Sequence, residues 1–553
     1  MTIKKYLPVD IETTSLDFNK GRILGIGYGE TYNVGAQSIP PLPATCQNGR
    51  FEYKWLKKAG VPFDWKFDTL LAAAVLIDRP RDLDLGSLAR HYLGAESWKS
   101  ETNKLFKKKN WVQLLEQSAE LQKALADRNR YDLKFTGLLT DVLQKKLEIE
   151  GMDRFYYERL MPAAKMLADV EYRGMRIDLG AINQKLVDIN QKLVDLEKEL
   201  NIWAKAPINW NSPIQLKKLL QQKGYNLWTY NFAKRQTVES TGVEVLERLL
   251  PNPKIQLLLD YREAQKLKGF LEGWLEEHHE GRLHPSYNLA STRTGRLSCS
   301  APNLQQVPRD KSIRSLFIPS EGKKFVIADF AQIEPRVVAH YSQDEALLDV
   351  FKSGLDFYGS IACRVLGAPC EPNEVKTLYP EMRRTAKEIG LSVLYGIGAA
   401  KLSSLLGRRT GKVFTKDEAA QIIKDYFKAY PALLEFRKYV ETKVMRGEPL
   451  ETFYGRKFEI DPDKVFSTGV NTIIQSVASD ACLFSQLDID KKLAILGIEA
   501  PLVAIVHDEV IRECAPEHTE IVGKLMEEVM TNQGFICPLK LDWAAGNSWG
   551  DKS

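Results

Sequence analysis

The chain has 553 residues, 44% hydrophobic and 27% charged, with 77 Lys and Arg against 72 Asp and Glu. That composition belongs to a soluble globular protein of two to four domains, and a net charge of +5 leaves room only for a local basic surface. No apolar run is long enough to span a bilayer, the start lacks a signal-peptide core, and the seven cysteines (46, 299, 363, 370, 482, 514 and 537) lack zinc-ligand spacing, which predicts reduced thiols in a cytosolic setting.

The first candidate site is Tyr6-Leu-Pro8-Val-Asp10-Ile-Glu12-Thr-Thr14. Asp10 and Glu12 are two apart, so on a strand they share one face, which can hold a divalent ion or simply be solvated. Pro8 favours a strand start or an edge. Asn48-Gly-Arg-Phe51-Glu52 follows, then Phe67-Asp68-Thr69-Leu70, and Tyr131-Asp132 in a helical stretch. Residues 104–109 (Lys-Leu-Phe-Lys-Lys-Lys) are a basic cluster suited to single-stranded DNA or to a solvated loop.

Ile182, Leu186, Ile189, Leu193, Leu196 and Leu200 alternate spacings of four and three, which predicts a long helix with a heptad-like seam. Residues 255–278 are its expected partner within the chain, and an intermolecular coiled coil is the alternative. Between them Ser212 reads as an N-cap, with Pro213 at the first helical position.

Ser291-Thr-Arg293-Thr-Gly295-Arg296-Leu-Ser298 continues into Pro302-Asn303-Leu-Gln305. Its guanidinium, amides and hydroxyls on a Gly-bent backbone suit phosphates and minor-groove acceptors, which differ little between base pairs. Phe325-Val-Ile-Ala-Asp329-Phe330-Ala331-Gln-Ile-Glu334-Pro335 reads as buried strand, turn and helix, with Pro335 in the first helical turn. Leu502-Val-Ala-Ile-Val-His507-Asp508-Glu509 is a second apolar strand ending in acids. Two aspartates from separate strands can hold two magnesium ions, and such a pair can clamp both oxygens of a phosphoryl displacement. Between these strands Arg383, Lys387, Leu391 and Tyr395 recur every four residues, so on a helix they line one slowly rotating face. The cationic pair there can grip a triphosphate. Asn471 and Gln475, one turn apart, suit minor-groove acceptors.

Asp329-Phe-Ala-Gln-Ile-Glu334-Pro-Arg336 and Val506-His-Asp-Glu509 resemble motifs A and C of the family A DNA polymerases, and the resemblance runs in order through most of the chain. It implies an α/β and α+β multidomain architecture: an RNase H-like 3′–5′ exonuclease domain over about 1–145, then a right-hand polymerase domain over about 146–553. The expected thumb is 180–285, the palm 286–345 and 461–553, and the fingers 346–460. The implied activity is template-directed DNA synthesis with pyrophosphate release and 3′–5′ proofreading. Catalytic roles fall to Asp329, Asp508, Glu509 and Lys387, with Asp329 and Asp508 holding two Mg2+ (Mn2+ able to substitute).

By the same resemblance Arg383, Lys387, Glu334, Leu391, Tyr395 and Tyr358 face the nucleotide, Glu334 rejecting a 2′-hydroxyl. Arg296, Asn303, Gln305, Asn471, Gln475 and His507 face DNA. Asp10, Glu12, Glu52 and Asp132 are the implied exonuclease metal ligands. The sequence departs from the family pattern at Glu52 (usually Asp), Arg128 (usually Tyr), Phe330 and Ala331 (usually Tyr and Ser), Leu391 (usually Phe or Tyr), Tyr358 (usually His) and Ser467 (usually Arg). Glu52 and Arg128 leave open an inactive, structural exonuclease domain.

Expected partners are primer–template DNA and deoxynucleoside triphosphates, with no membrane and a monomeric chain. The expected setting is the cytoplasm of a bacterial or phage-infected cell, or an organelle. A start this close to the exonuclease strand leaves no room for a 5′-nuclease domain, as in a phage or organelle enzyme or a cloned fragment. The rival functions are a single-subunit RNA polymerase and a non-catalytic DNA-binding protein.

Overall fold

The computed structural model describes residues 6–35, 38–98, 111–231, 236–410 and 412–552; the basic cluster at 104–109 lies outside them. Two compact units emerge: Met1–Gly174 with His284–Val307 and Pro319–Lys552, and Met175–Leu283 with Pro308–Ile318.

The first unit opens with a five-stranded sheet of β1 (Leu7–Thr13), β2 (Ile23–Tyr28), β3 (Thr31–Val34), β4 (Ala44–Cys46) and β5 (Trp65–Asp68), ordered β3-β2-β1-β4-β5. β1 is central, antiparallel to β2 and parallel to β4. Pro8 is tolerated because it sits at the strand's second residue. Helices α1 (Arg50–Lys58), α2 (Thr69–Val75) and α3 (Ala119–Ile149) accompany this sheet. Asp68 is fully engaged in structure: its carboxylate accepts from the backbone N–H groups of Asn48, Gly49 and Leu71, so it caps α2 and fixes the start of α1. α3 runs across the domain boundary expected near residue 146 without a break.

Helix α4 (Met161–Arg173) fastens this part to the rest of the unit. Its buried Glu171 takes Arg50 at 2.7 Å and Lys54 at 2.6 Å, both from α1, and accepts from the Tyr287 N–H at 2.7 Å. Removing one partner of so buried a set costs roughly 3–5 kcal/mol.

In the second unit α5 (Leu179–Ala204) buries Ile182, Ile189, Leu193, Leu196 and Leu200. These face α7 (Pro253–Glu277), so the seam closes within the chain. Between them lies α6 (Pro213–Gln222), where the Ser212 hydroxyl accepts from the Gln215 N–H at 3.4 Å.

The two acid-ended strands follow in the first unit. This part consists of β6 (Lys324–Phe330), α8 (Ile333–Ser342), α9 (Phe357–Leu366), α10 (Pro380–Leu394), α11 (Val465–Leu496), β7 (Leu502–Val506), β8 (Glu509–Cys514) and β9 (Leu541–Gly546). The four strands form an antiparallel sheet ordered β7-β8-β6-β9. Val326, Ile327, Ala328, Val503, Ile505 and Ile511 are buried at its centre. Burial of each Val or Ile contributes roughly 1.5–3 kcal/mol. Among the described residues all seven cysteines are free thiols, and no helix is long and apolar enough to cross a membrane.

Candidate active site

The apolar strands deliver their acids to one end of the antiparallel sheet. Asp329, the penultimate residue of β6, pairs in register with Glu509 on one side and Asp542 on the other. β7 and β8 form a hairpin whose two-residue turn is His507-Asp508, with Val506 opposite Glu509. His507 sits at φ +60°, the left-handed conformation that tight hairpin turns demand. The Phe330 N–H donates to the Asp508 carbonyl at 3.3 Å, which draws the hairpin tip against the end of β6. Asp329 and Asp508 therefore meet at one edge.

Among the described residues no three His, Cys, Asp or Glu side chains converge as a closed metal cage. An open pair of carboxylates is still a chemical fit for magnesium, which keeps waters and completes its shell with substrate phosphates.

Glu509 is directed elsewhere. It is buried, and the Trp549 indole N–H donates to its Oε1 at 2.6 Å. Trp549 begins a short 3-10 turn, Trp549–Lys552, that closes the sheet edge. The Lys552 ammonium at its end is sealed from solvent without a hydrogen-bond acceptor among the described residues. Burial lowers the Lys552 pKa, while Asp329, Glu509, Asp542 and Asp508 oppose that shift. Neither Lys552 nor Asp542 was singled out in the sequence. Only the strand register and the chain's return to the sheet bring them here.

Helix α10 carries Arg383, Lys387 and Leu391, and Tyr395 caps its end. Lys387 is exposed, with no ion pair among the described residues. Arg383 is already engaged: it makes a two-pronged ion pair with Asp356, which also caps α9. The partnership holds the Arg383 pKa above the ordinary arginine value, through the hydrogen bond to Asp356 first. Its guanidinium lies 5.6 Å from the Tyr358 ring. Leu391 is half-buried on the same helix. Gly396 ends the helix at φ +82°, and a Cβ there would meet the Phe466 carbonyl oxygen at 2.2 Å, so only glycine fits the turn after Tyr395.

Glu334, in the first turn of α8, joins three segments. The Tyr395 hydroxyl donates to Glu334 Oε2 at 2.9 Å, and Arg296 forms a close ion pair with Oε1. Burial, then the Glu334 charge, raises the Tyr395 pKa far above its ordinary range. Arg296, expected at the primer end, is thus held by Glu334. Gln305 donates through Nε2 to the Leu297 carbonyl at 3.1 Å, and its own carbonyl lies 3.1 Å from His507 Nε2. Asn303 accepts from the Gln305 N–H and caps the 3-10 turn Leu304–Gln306. Asn471 and Gln475 lie one turn apart on α11.

The N-terminal acids likewise form no cluster of three that could hold a metal ion among the described residues. Asp10 and Glu12 lie on β1, Glu52 is on α1, and Asp132 is on α3. Protein donors already serve Asp10 and Asp132. Asn129 Nδ2 donates to Asp10 at 2.7 Å, and the Trp98 indole donates to Asp132 at 2.8 Å, with Arg128 4.0 Å from that carboxylate. Gly27 makes the first contact physically accessible, since a Cβ on it would meet Asn129 Oδ1 at 1.8 Å. Glu52 is 3% exposed, and its Oε2 lacks a hydrogen-bond partner among the described residues. Burial raises its pKa well above the ordinary value, with Asp68 and Glu12 adding to the shift.

The family model for "DNA polymerase family A" matches residues 180–551. This chain belongs to the family A DNA polymerases. The family A chain is 32% identical to DNA polymerase I of Bacillus subtilis over 90% of its own length and 58% of the relative's. It is 30% identical to that of Geobacillus stearothermophilus, with 90% and 57% covered. With DNA polymerase I of Borreliella burgdorferi it shares 29% identity over 99% of its own length and 62% of the relative's. The chain thus spans about three-fifths of these relatives. Among solved structures it superposes on the POL domain of Pol1 from M. smegmatis, in complex with DNA primer-template and dNTP, at TM-score 0.85. That match has 22% identity and covers 99% of this chain and 96% of the other. It establishes a fold shared from the N-terminal sheet to the last strand.

Proposed function

We propose that this chain performs template-directed DNA synthesis, adding deoxynucleotides to a primer 3′ end with release of pyrophosphate. The observation that carries the reading is the meeting of Asp329 and Asp508 at one sheet edge, linked by the Phe330–Asp508 backbone bond. The Glu334–Tyr395 bond beside it ties α8 to the end of α10. The complex of the M. smegmatis neighbour with primer-template and dNTP supports the same substrates.

Divalent metal ions on these carboxylates would supply charge neutralisation at the attacked phosphate. Asp329 and Asp508 orient that site. Lys387, exposed on α10, meets the triphosphate and donates a proton to the pyrophosphate leaving group. Arg383 joins it by exchanging Asp356 for phosphate oxygens. Glu334, fixed from two sides by Tyr395 and Arg296, forms a rigid wall against a 2′-hydroxyl. Asn471 and Gln475 read minor-groove acceptors common to all base pairs.

The test is magnesium-dependent primer extension. Asp329→Ala and Asp508→Ala should each abolish extension while largely sparing DNA binding. Robust extension by either variant would overturn the assignment. Preference for ribonucleotides would favour an RNA polymerase, and absence of extension a non-catalytic binder.

For the N-terminal domain, the resemblance implies proofreading, but the donors on Asp10 and Asp132 support the alternative of a structural exonuclease domain. Metals entering there would share those carboxylates with Asn129 and Trp98. A 3′-mismatched primer incubated with magnesium and no nucleotides tests this: shortening that is lost in Asp10→Ala would restore proofreading.

A further inference from the structure

A cavity of about 680 Å³ opens where the N-terminal domain abuts the polymerase elements. Its walls are residues 74–79, from the last turn of α2 onward, residues 292–295 leading into Arg296, and residues 456–461 with Lys464 before α11. Five cationic side chains line it against three carboxylates. The charges are unevenly satisfied. Arg456 is neutralised by buried Asp480 at 2.8 Å, and the Asp78 carboxylate is drawn off by Lys146 at 2.7 Å. Arg79 is aimed by backbone carbonyls alone, donating to Ala74 at 3.1 Å and Ala290 at 3.2 Å. Arg293 stands exposed at the mouth, with no ion pair among the described residues. Burial, with Arg293 and Arg456 pressing on it, draws the Arg79 pKa below the ordinary arginine value. The Arg79 and Arg293 guanidinium groups, close enough to repel and without a carboxylate partner among the described residues, make an anion site, and the planar fork suits phosphate oxygens.

We propose that this cavity is a phosphate-binding subsite, occupied by a phosphodiester of bound nucleic acid with Arg293 as its principal contact. This rests on the polymerase reading. A nucleic-acid strand is favoured over a free anion because the walls continue into the expected DNA contacts. Arg293 is three residues before Arg296, and the lining residues Thr468 and Thr472 flank Asn471 on α11. A strand held by those groups passes the cavity mouth. Arg79 extends the grip to the N-terminal domain, giving that domain a part in holding DNA whether or not it hydrolyses it.

The test is the salt dependence of primer–template affinity, measured by fluorescence anisotropy for the wild type, Arg293→Ala and Arg293→Lys. Loss of one phosphate contact lowers the slope of log K against log salt by about 1. Arg293→Ala should show that loss, and Arg293→Lys should recover it. An unchanged slope in Arg293→Ala would overturn the proposal. So would stabilisation of the wild type by inorganic phosphate alone, lost in Arg293→Ala while the DNA slope stays fixed, because the occupant would then be a free anion. Wild-type extension of the same primer–template separates the two readings. Extension with an unaltered slope removes the subsite and keeps the polymerase, whereas a lowered slope without extension does the reverse.

Discussion

Replacing Glu52 by Gln should stabilise the protein above pH 5 and leave it unchanged at more acid pH. Glu52 is 3% exposed, burial is the largest cause of its raised pKa, and Asp68 and Glu12 repel its charge further. The folded state therefore holds a proton on Glu52 that the unfolded chain releases near the ordinary value of 4.5. Below that value both states are protonated and nothing is lost. As pH rises from there towards the folded-state pKa, stability falls by about 1.4 kcal/mol per pH unit, and above it the loss is complete. Gln carries no charge and removes the term. With unfolding entropy near 2.1 cal/mol/K per residue, the gain amounts to roughly 1 °C in Tm per pH unit for a chain unfolding as one. The assay is calorimetric Tm against pH for both proteins in EDTA, followed by titration with magnesium. Equal or lower Tm for Glu52→Gln across the range would refute a buried neutral acid. A magnesium-dependent gain in wild type that Glu52→Gln lacks would identify Glu52 as a metal ligand instead.

Asp356→Asn keeps a cap for α9 but releases Arg383, so KM for deoxynucleotides should fall about three- to tenfold, given a net worth of roughly 0.5–1.5 kcal/mol for a hydrogen bond; a raised KM would mean that Asp356 positions Arg383 for the triphosphate. Leu391→Phe should alter discrimination against dideoxynucleotides, and unchanged incorporation and misincorporation kinetics would contradict that. Lys552→Met removes a cation from among Asp329, Asp508, Glu509 and Asp542. Mn2+ followed by electron paramagnetic resonance should then bind about three- to tenfold more tightly, with the gain shrinking at high salt.

The two acid-tipped strands, the α10 face and the seam of α5 were all visible in the chain, because each is a local pattern of period 2 or period 3.6–4 set by backbone geometry. The motif spacing likewise carried the family. What the chain could not display was which groups already hold one another. Arg383 and Asp356, Arg296 and Glu334, and Asn129 and Asp10 are pairs separated by long stretches of sequence, and each becomes a contact only when distant elements pack. Lys552 and Trp549 reach Asp329 and Glu509 only because β9 returns beside β6. Residue type and spacing determined which side chains could do the chemistry. Tertiary packing decided their charge state and their partners, because desolvation and distance, which set both, exist only in the folded chain.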